Sequence, residues 1–515
     1  MKASTGIAAL LLASLLGGTA HAQKTTLNIG MASADAGRLD PHLATTTPDK
    51  ALLQYIFSGL VRFEPGKASP AYIEPDLAES WESSEDGTEW TFNIREGVQC
   101  HHGYGELTAS DVVYSLNRAA DPERSGFAKD YADFDSVEAL DDYTVKITLK
   151  NPVPSLLGLV TNYHGGNIVC EAAAEEMGEN FHQKPIGTGP FMFEEYKSQQ
   201  SVTLVANPDY FRGAPKLERI VYRYIPSDAS RDLAFTSGEI DLIYGKQDQT
   251  WVDRMGQNED AEVMVMEPAE LSTLYLNVDS PPLDDIRVRQ AIGHAIDRQG
   301  MVQFKGEAVT REARSIVPIG YLGHTAEVPM LAYDPEKAKS LLAEAGYPDG
   351  VTVKTIHTSL PGMLSTIEAV QAMLRKANIN LEIEVVEHAT FHSQIREDLS
   401  PLVHYSAARF PVADVYLTQF FHSDSIVGTP GAITNFTHCG MADEEIDAAR
   451  VEPDLDKQQE LWATAQRKLM EAVCAVPIYE NMQIWARNRN LELGYVLEGS
   501  LSLGPPVTEQ THFVE

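Results

Sequence analysis

No Gly/Ser-rich or Pro-rich linker, internal repeat or low-complexity stretch divides this chain of 515 residues into separate units. That is nevertheless too much polypeptide for one hydrophobic core. A long chain without linkers is expected to fold as lobes packed together, with the backbone passing between them more than once. The composition, 43% apolar and 22% charged, is that of an ordinary water-soluble protein. The formal net charge of −34 repels nucleic acid and anionic lipid, so neither is expected as a partner. Any anion site has to be a local exception to that field.

The N-terminus reads MKASTGIAALLLASLLGGTAHAQ. Lys2 supplies a positive start, Ile7 to Leu16 a short apolar run, and Ala20-His21-Ala22 a small-residue cleavage signal. The run is too short for a permanent span, which identifies residues 1–22 as a secretory signal peptide. With no Cys at the cleavage point, a lipid anchor is not expected, and the mature chain should be free in an exported, disulfide-permitting compartment. Its cysteines are Cys100, Cys170, Cys439 and Cys474. Three pairings are open to them; their positions suggest Cys100 with Cys170 and Cys439 with Cys474. Their spacing matches no zinc motif.

Local patterns are mixed. Trp90, Phe92 and Ile94 alternate with polar residues, as do Tyr143, Val145, Ile147 and Leu149 after the Asp141-Asp142 turn signal; both read as half-buried strands. Between them, Thr108 and Asp111 stand at capping-box spacing before Val112, Leu116 and Ala119 at helical intervals. Further on, Asp334, Pro335 and Gly346 mark the start and stop of a helix carrying Ala338, Leu341, Leu342 and Ala345 inward. A second pattern places Ile286, Ile292, Ala295 and Ile296 inward and Arg287, Arg289 and Arg298 outward. A third helix, DKQQELWATAQRKLMEAV, runs into the strand-like CAVPIYE. Irregular alternation of strands and helices points to α/β lobes with mixed sheets.

The turn LDPH at 39–42, the segments PDLAESWESSEDGTEWTFNIREGV and ELTASDVVYSLNR, PIGTGPF at 185–191, LYLNVDSPPLDDIRVRQAIGHAIDR at 274–298, AYDPEKAKSLLAEAGYPDG and CAVPIYE resemble, in that order, the family 5 extracellular solute-binding proteins of ABC importers, which bind dipeptides, oligopeptides or nickel. The resemblance covers nearly the whole mature chain. It implies an α/β fold of the periplasmic-binding-protein type II-like class, two lobes with an extra inserted domain (the three-domain, cluster C type) around a central ligand cleft. Domain I would comprise 23–60, 185–268 and 483–515, domain II 61–184 and domain III 269–482, the lobes closing on ligand by hinge motion. It further implies a periplasmic monomer without cofactor. That monomer would capture a peptide-like or other small polar solute and deliver it to a permease with its ATPases.

Peptide-binding members of that family resemble W-x-x-D-Y-x-x-P at the ligand anchor, the acidic residue pairing with the peptide's amino group. Here the matching segment is SAARFPVADVYL, which puts Arg409 in place of that Asp and Ser406 in place of the Trp. A guanidinium is a planar fork suited to carboxylate or phosphate and repels an ammonium. The expected ligand therefore carries an anionic or acceptor-rich group at Arg409, unless a carboxylate of the protein pairs with it. Tyr405 and Phe410 flank Arg409 and offer flat faces for stacking. Thr45, Thr46 and Thr47, after the LDPH turn, and Gly187, Thr188 and Gly189, in a turn that lets backbone approach closely, complete the candidate site. Cys100, His101 and His102 suggest a metal, but adjacent side chains of an extended segment point to opposite faces, and none is expected there. The chain carries no G-x-S-x-G, H-E-x-x-H or Walker motif. A secreted hydrolase, or a receptor or chaperone not coupled to import, stands as the alternative.

Overall fold

The computed structural model describes residues 24–44, 46–153, 155–429, 434–452 and 454–514; the signal peptide expected at 1–22 lies outside them. Two long antiparallel strands, Ala261–Leu276 and Ala475–Asn488, form the spine of an eleven-stranded sheet. On one side of this pair lie Leu402–Ala407, Val351–Thr358 and Ile379–Val386. On the other lie Leu242–Tyr244, Thr26–Met31, Arg219–Tyr224, Ser201–Ala206 and Phe191–Lys197. Parallel and antiparallel pairings mix within it, as in the parallel Thr26–Met31 beside Arg219–Tyr224 and the antiparallel Ser201–Ala206 next to that. Hydrogen-bonded backbone thus joins the lobes, which is why no linker composition appears.

The spine ladder shifts register where the lobes meet and once more between Ser272 and Thr273. Ala261 to Met266 pair in register with the half of the partner strand that also holds Leu242–Tyr244. Leu271 to Tyr275 pair with the other half of that strand and, along their second edge, with Leu402–Ala407. A register shift separates the two stretches between Met266 and Glu270. Beyond it, the two-residue strand period sends Leu271, Tyr275 and Val403 into one buried core and Leu274, Leu276 and Leu402 into another on the opposite face.

A smaller antiparallel sheet, ordered Ala78–Ser83, Glu89–Ile94, Thr144–Leu149, Phe134–Asp141, stands apart from the spine. Phe92, Val145 and Ile147 are fully buried beneath it, as their alternation predicts. Helix Ala109–Ala120 covers it, opening on the expected box: the Asp111 carboxylate accepts from the Thr108 N–H at 2.8 Å. Val112, Leu116 and Ala119 are buried, the Val and Leu side chains each contributing about 2 kcal/mol by leaving water and the Ala methyl about 0.8 kcal/mol. The same helix explains the LDPH turn. Arg118, on its last turn, pairs with Asp40 and donates to His42 Nδ1 at 2.8 Å. His42 Nε2–H donates to the Asn167 carbonyl at 3.0 Å. All three side chains are buried, so the turn is an ionic staple between segments far apart in sequence.

Asp334 caps helix Pro335–Glu344, accepting from the Lys337 N–H at 2.9 Å, and Gly346 takes the left-handed φ of +96° that ends it. The reading of 286–298 needs correction. The helix is Ile286–Ala295, with Ile286 at 40% exposure and Arg289 at 6%. Arg289 goes inward because it donates to the carbonyls of Leu283, Asp284 and Ala472. Arg298 starts a separate helix and bonds the carbonyls of Pro477 and Leu331. Three carbonyls left open by loops make a buried guanidinium acceptable, and periodicity alone does not show them. Disulfides join Cys100 with Cys170 and Cys439 with Cys474.

Candidate functional site

A cavity of about 680 Å³ lies between the small-sheet lobe, which contributes Phe127, Asp130, Tyr163 and His164, and the segment carrying Tyr405, Arg409, Phe410 and Gln419. A second chamber of about 180 Å³ shares Lys50, Tyr163, Ala408 and Arg409 with it and reaches Glu270, Ser406, Leu501 and Leu503. The two lobes meet at Phe410, whose ring packs over Gly158 and lies 5.9 Å from that of Phe63.

Arg409 follows the strand Leu402–Ala407 and is held there by its backbone. The Tyr321 hydroxyl accepts from its N–H and donates to its carbonyl, both at 2.9 Å. Its Nε donates to Gln419 Oε1 at 2.6 Å and a terminal nitrogen to the Ala408 carbonyl at 3.0 Å, with Cζ 4.9 Å from the centre of the Phe420 ring. Among the described residues no carboxylate comes within ion-pair distance of it. Arg450, on the same cavity wall, contrasts with it: Asp414 lies 3.4 Å and Asp447 3.5 Å away. The neighbours of Arg409 orient the guanidinium without neutralising it, and the remaining donors face the cavity.

Lys50 enters from the helix Thr47–Leu53. Its Nζ lies 3.4 Å from His164 Nε2 and 5.5 Å from the centre of the Tyr163 ring. Burial, reinforced by the Arg409 charge and opposed by Glu270, lowers the Lys50 ammonium to about 8. His164 stacks between Phe127 at 4.2 Å and Tyr163 at 3.5 Å. Burial and then Lys50 hold it well below the ordinary histidine range, so its neutral ring accepts from Lys50. Burial raises the carboxyls of Asp130 and Glu270, opposed by Arg409 and by Lys50 respectively. The site is therefore a cationic pocket inside a strongly acidic protein. A buried group here left without a partner costs about 1–3 kcal/mol, so a complementary solute gains affinity by supplying one.

Of the residues singled out from sequence, Arg409, Tyr405 and Phe410 line the larger chamber, and Arg409 and Ser406 the smaller. Tyr405 and Ser406 reach different chambers because successive strand side chains point opposite ways. Thr45 lies outside the described residues. Thr46 is exposed and donates to Asp49 Oδ2 at 2.7 Å; Thr47 opens the helix that carries Lys50. Gly187 and Thr188 line neither chamber. That turn is buried against the backbone of Tyr55 and Ile56, where a Cβ on Gly187 would stand 2.2 Å from the Ile56 carbonyl oxygen. The close backbone approach expected of these glycines is a crossing inside the protein. His101 and His102 bond the carbonyls of Gly189 and Phe193 at 2.9 and 2.8 Å. Sequence reasoning missed Lys50, Tyr163, His164, Asp130 and Glu270. Lys50 had a signal in its place just after the threonines; the others carry none, because the fold alone brings them to the cavity.

The profile of the Bacterial extracellular solute-binding proteins, family 5 Middle, matches residues 72–427. Heme-binding protein A of Haemophilus influenzae is 30% identical over 383 residues, 68% of each chain. Di/tripeptide-binding protein 2 of Pseudomonas aeruginosa is 28% identical over 519 residues, covering 94% of this chain and 95% of its own. Among solved structures, the binding protein MoaA from A. tumefaciens R10, in complex with mannopinic acid, is 49% identical, with a TM-score of 0.84 over 96% of this chain and all of its own. A sheet-spined α/β fold with a cationic cavity between lobes and a family profile spanning most of its length lead to one assignment: the chain belongs to the family 5 bacterial extracellular solute-binding proteins, the solute-binding components of ABC transporters.

Proposed function

We propose that this protein captures a small acidic solute of the opine type, in which a chain of hydroxyls is joined to an amino acid, and presents it to an ABC permease after export to the periplasm through the signal peptide. The carrying observation is Arg409: a guanidinium oriented by Gln419 and the Ala408 carbonyl, facing a cavity, with no carboxylate of the described residues in ion-pair contact. A ligand carboxylate completes its donor fork, and the cavity's remaining polar groups suit hydroxyls. The 49% identity to a protein solved with mannopinic acid supports the same class. Separate cores in the two halves of the main sheet support keeping the three-domain division expected from sequence, with domains I and II as one lobe and domain III as the other.

Isothermal calorimetry on the mature protein tests the proposal. Mannopinic acid should bind saturably and come back unchanged, while neutral dipeptides bind at least about a hundredfold more weakly. Preference for a dipeptide over mannopinic acid would sink it.

A further inference from the structure

The smaller chamber holds a charge pattern that a plain acid does not satisfy. Besides the Tyr163 phenol, three ionisable side chains face it: Lys50, Arg409 and Glu270. Among the described residues Glu270 makes no side-chain hydrogen bond and no ion pair. Lys50, the cation whose charge it feels, turns instead toward His164 and the Tyr163 ring. The protein therefore sets two cations and one carboxylate around a small space without letting them neutralise one another. Leaving an acid there is unfavourable unless something else brings a proton or a positive charge. The remaining walls, Pro268, Ala407, Leu501 and Leu503 among them, supply little to compensate it.

We infer that Glu270 receives a protonated nitrogen of the ligand, so that the solute is a zwitterion whose ammonium is flanked by acid groups directed to Arg409 and Lys50. This rests on the acidic-solute reading above and narrows it. A chamber of about 180 Å³ takes a charged head group, and the rest of the solute extends into the chamber of about 680 Å³. Burial holds the Glu270 carboxyl above its ordinary range in the absence of ligand; an incoming ammonium favours the ionised form and forms a charge-assisted hydrogen bond with it. Glu270 also stands at the register shift of the spine, where the two lobes join. Neutralising it with ligand therefore acts at the junction between them.

The test uses calorimetry on the full mature protein with two probes: mannopinic acid, which has a basic secondary nitrogen, and its lactam, whose nitrogen is an uncharged amide. The lactam also lacks one carboxylate, but that loss is common to wild type and variant, so the change in preference isolates the nitrogen. Wild type should prefer mannopinic acid by at least about tenfold. Glu270→Gln, of the same shape, should weaken mannopinic acid by at least about tenfold and leave the lactam's affinity unchanged or improved. Unaltered affinity for both probes in Glu270→Gln overturns the inference and leaves the acidic-solute reading standing. Equal affinity of the wild type for the two probes overturns it without any variant. Binding of neither probe by the wild type overturns the acidic-solute reading, and the inference with it.

Discussion

A Cβ built on Gly158 would stand 1.9 Å from Phe410 Cζ, so the two lobes touch where one of them has no side chain at all. Phe410 belongs to the lobe of Arg409, and Gly158 to the helical turn Leu156–Leu159 on the facing lobe. This contact exists only when the lobes are together. Gly158→Val should therefore leave the unliganded protein's melting temperature within about 2 °C of wild type and weaken ligand binding by about tenfold, because closure displaces the ring. In a Phe410→Ala background the same change should have little effect. Calorimetry, with small-angle scattering for ligand-induced compaction, checks both; a tenfold loss persisting without the ring would contradict the contact's role.

On the proposed reading, Arg409 sets the sign of charge admitted. Arg409→Ala should weaken an acidic probe more than tenfold, and Arg409→Asp should nearly abolish binding. Arg409→Lys should fall between wild type and Ala, because the charge persists while the planar fork is lost. Wild-type affinity in the Ala and Asp variants would refute the anchor.

Lys50 links binding to pH. Its ammonium, lowered to about 8 by burial and the Arg409 charge, is present at neutral pH and lost as pH rises through that value. Bound carboxylate raises it, so affinity should be level from about pH 6.5 to 7.5 and then fall, by up to about tenfold per pH unit above 8. Lys50→Met should bind more weakly and show no such decline. A titration series in calorimetry reads this directly.

Acid should unfold the protein through His42. Burial first, then Arg118, lowers this ring from 6.5 to about 4. The unfolded chain binds the extra proton between those values, so stability falls as pH drops from about 6.5 and levels below 4, a loss of about 3 kcal/mol for this group. His101, also lowered to about 4 by burial, adds to the slope. His42→Gln keeps an acceptor for Arg118 and a donor for Asn167 without titrating. Urea unfolding at pH 7 and pH 5 should show a shallower loss for it than for wild type.

The disulfides close loops of 70 and 35 residues. Chain-entropy reasoning assigns each about 4 kcal/mol as an upper figure. Cys439→Ser with Cys474→Ser should lower the denaturation midpoint with little change in its slope, and reductant should then act only through Cys100–Cys170. Equal stability before and after removal of both bridges would contradict a structural role.

What the linear sequence determined by itself was what depends on neighbours in the chain. Alternation set the strands Glu89–Ile94 and Thr144–Leu149, and caps set the helices Ala109–Ala120 and Pro335–Glu344. Helical spacing failed at Arg289, whose partners are carbonyls from other segments. The site divides the same way. Arg409 was legible because it stands where the family resemblance places an acidic anchor, reversing the charge there. The lack of an ion pair between it and any described carboxylate, and its company of Lys50, His164 and Glu270, were not. Those residues are up to 359 positions away from it in the chain, and only tertiary packing lowers the local dielectric enough for them to act on one another.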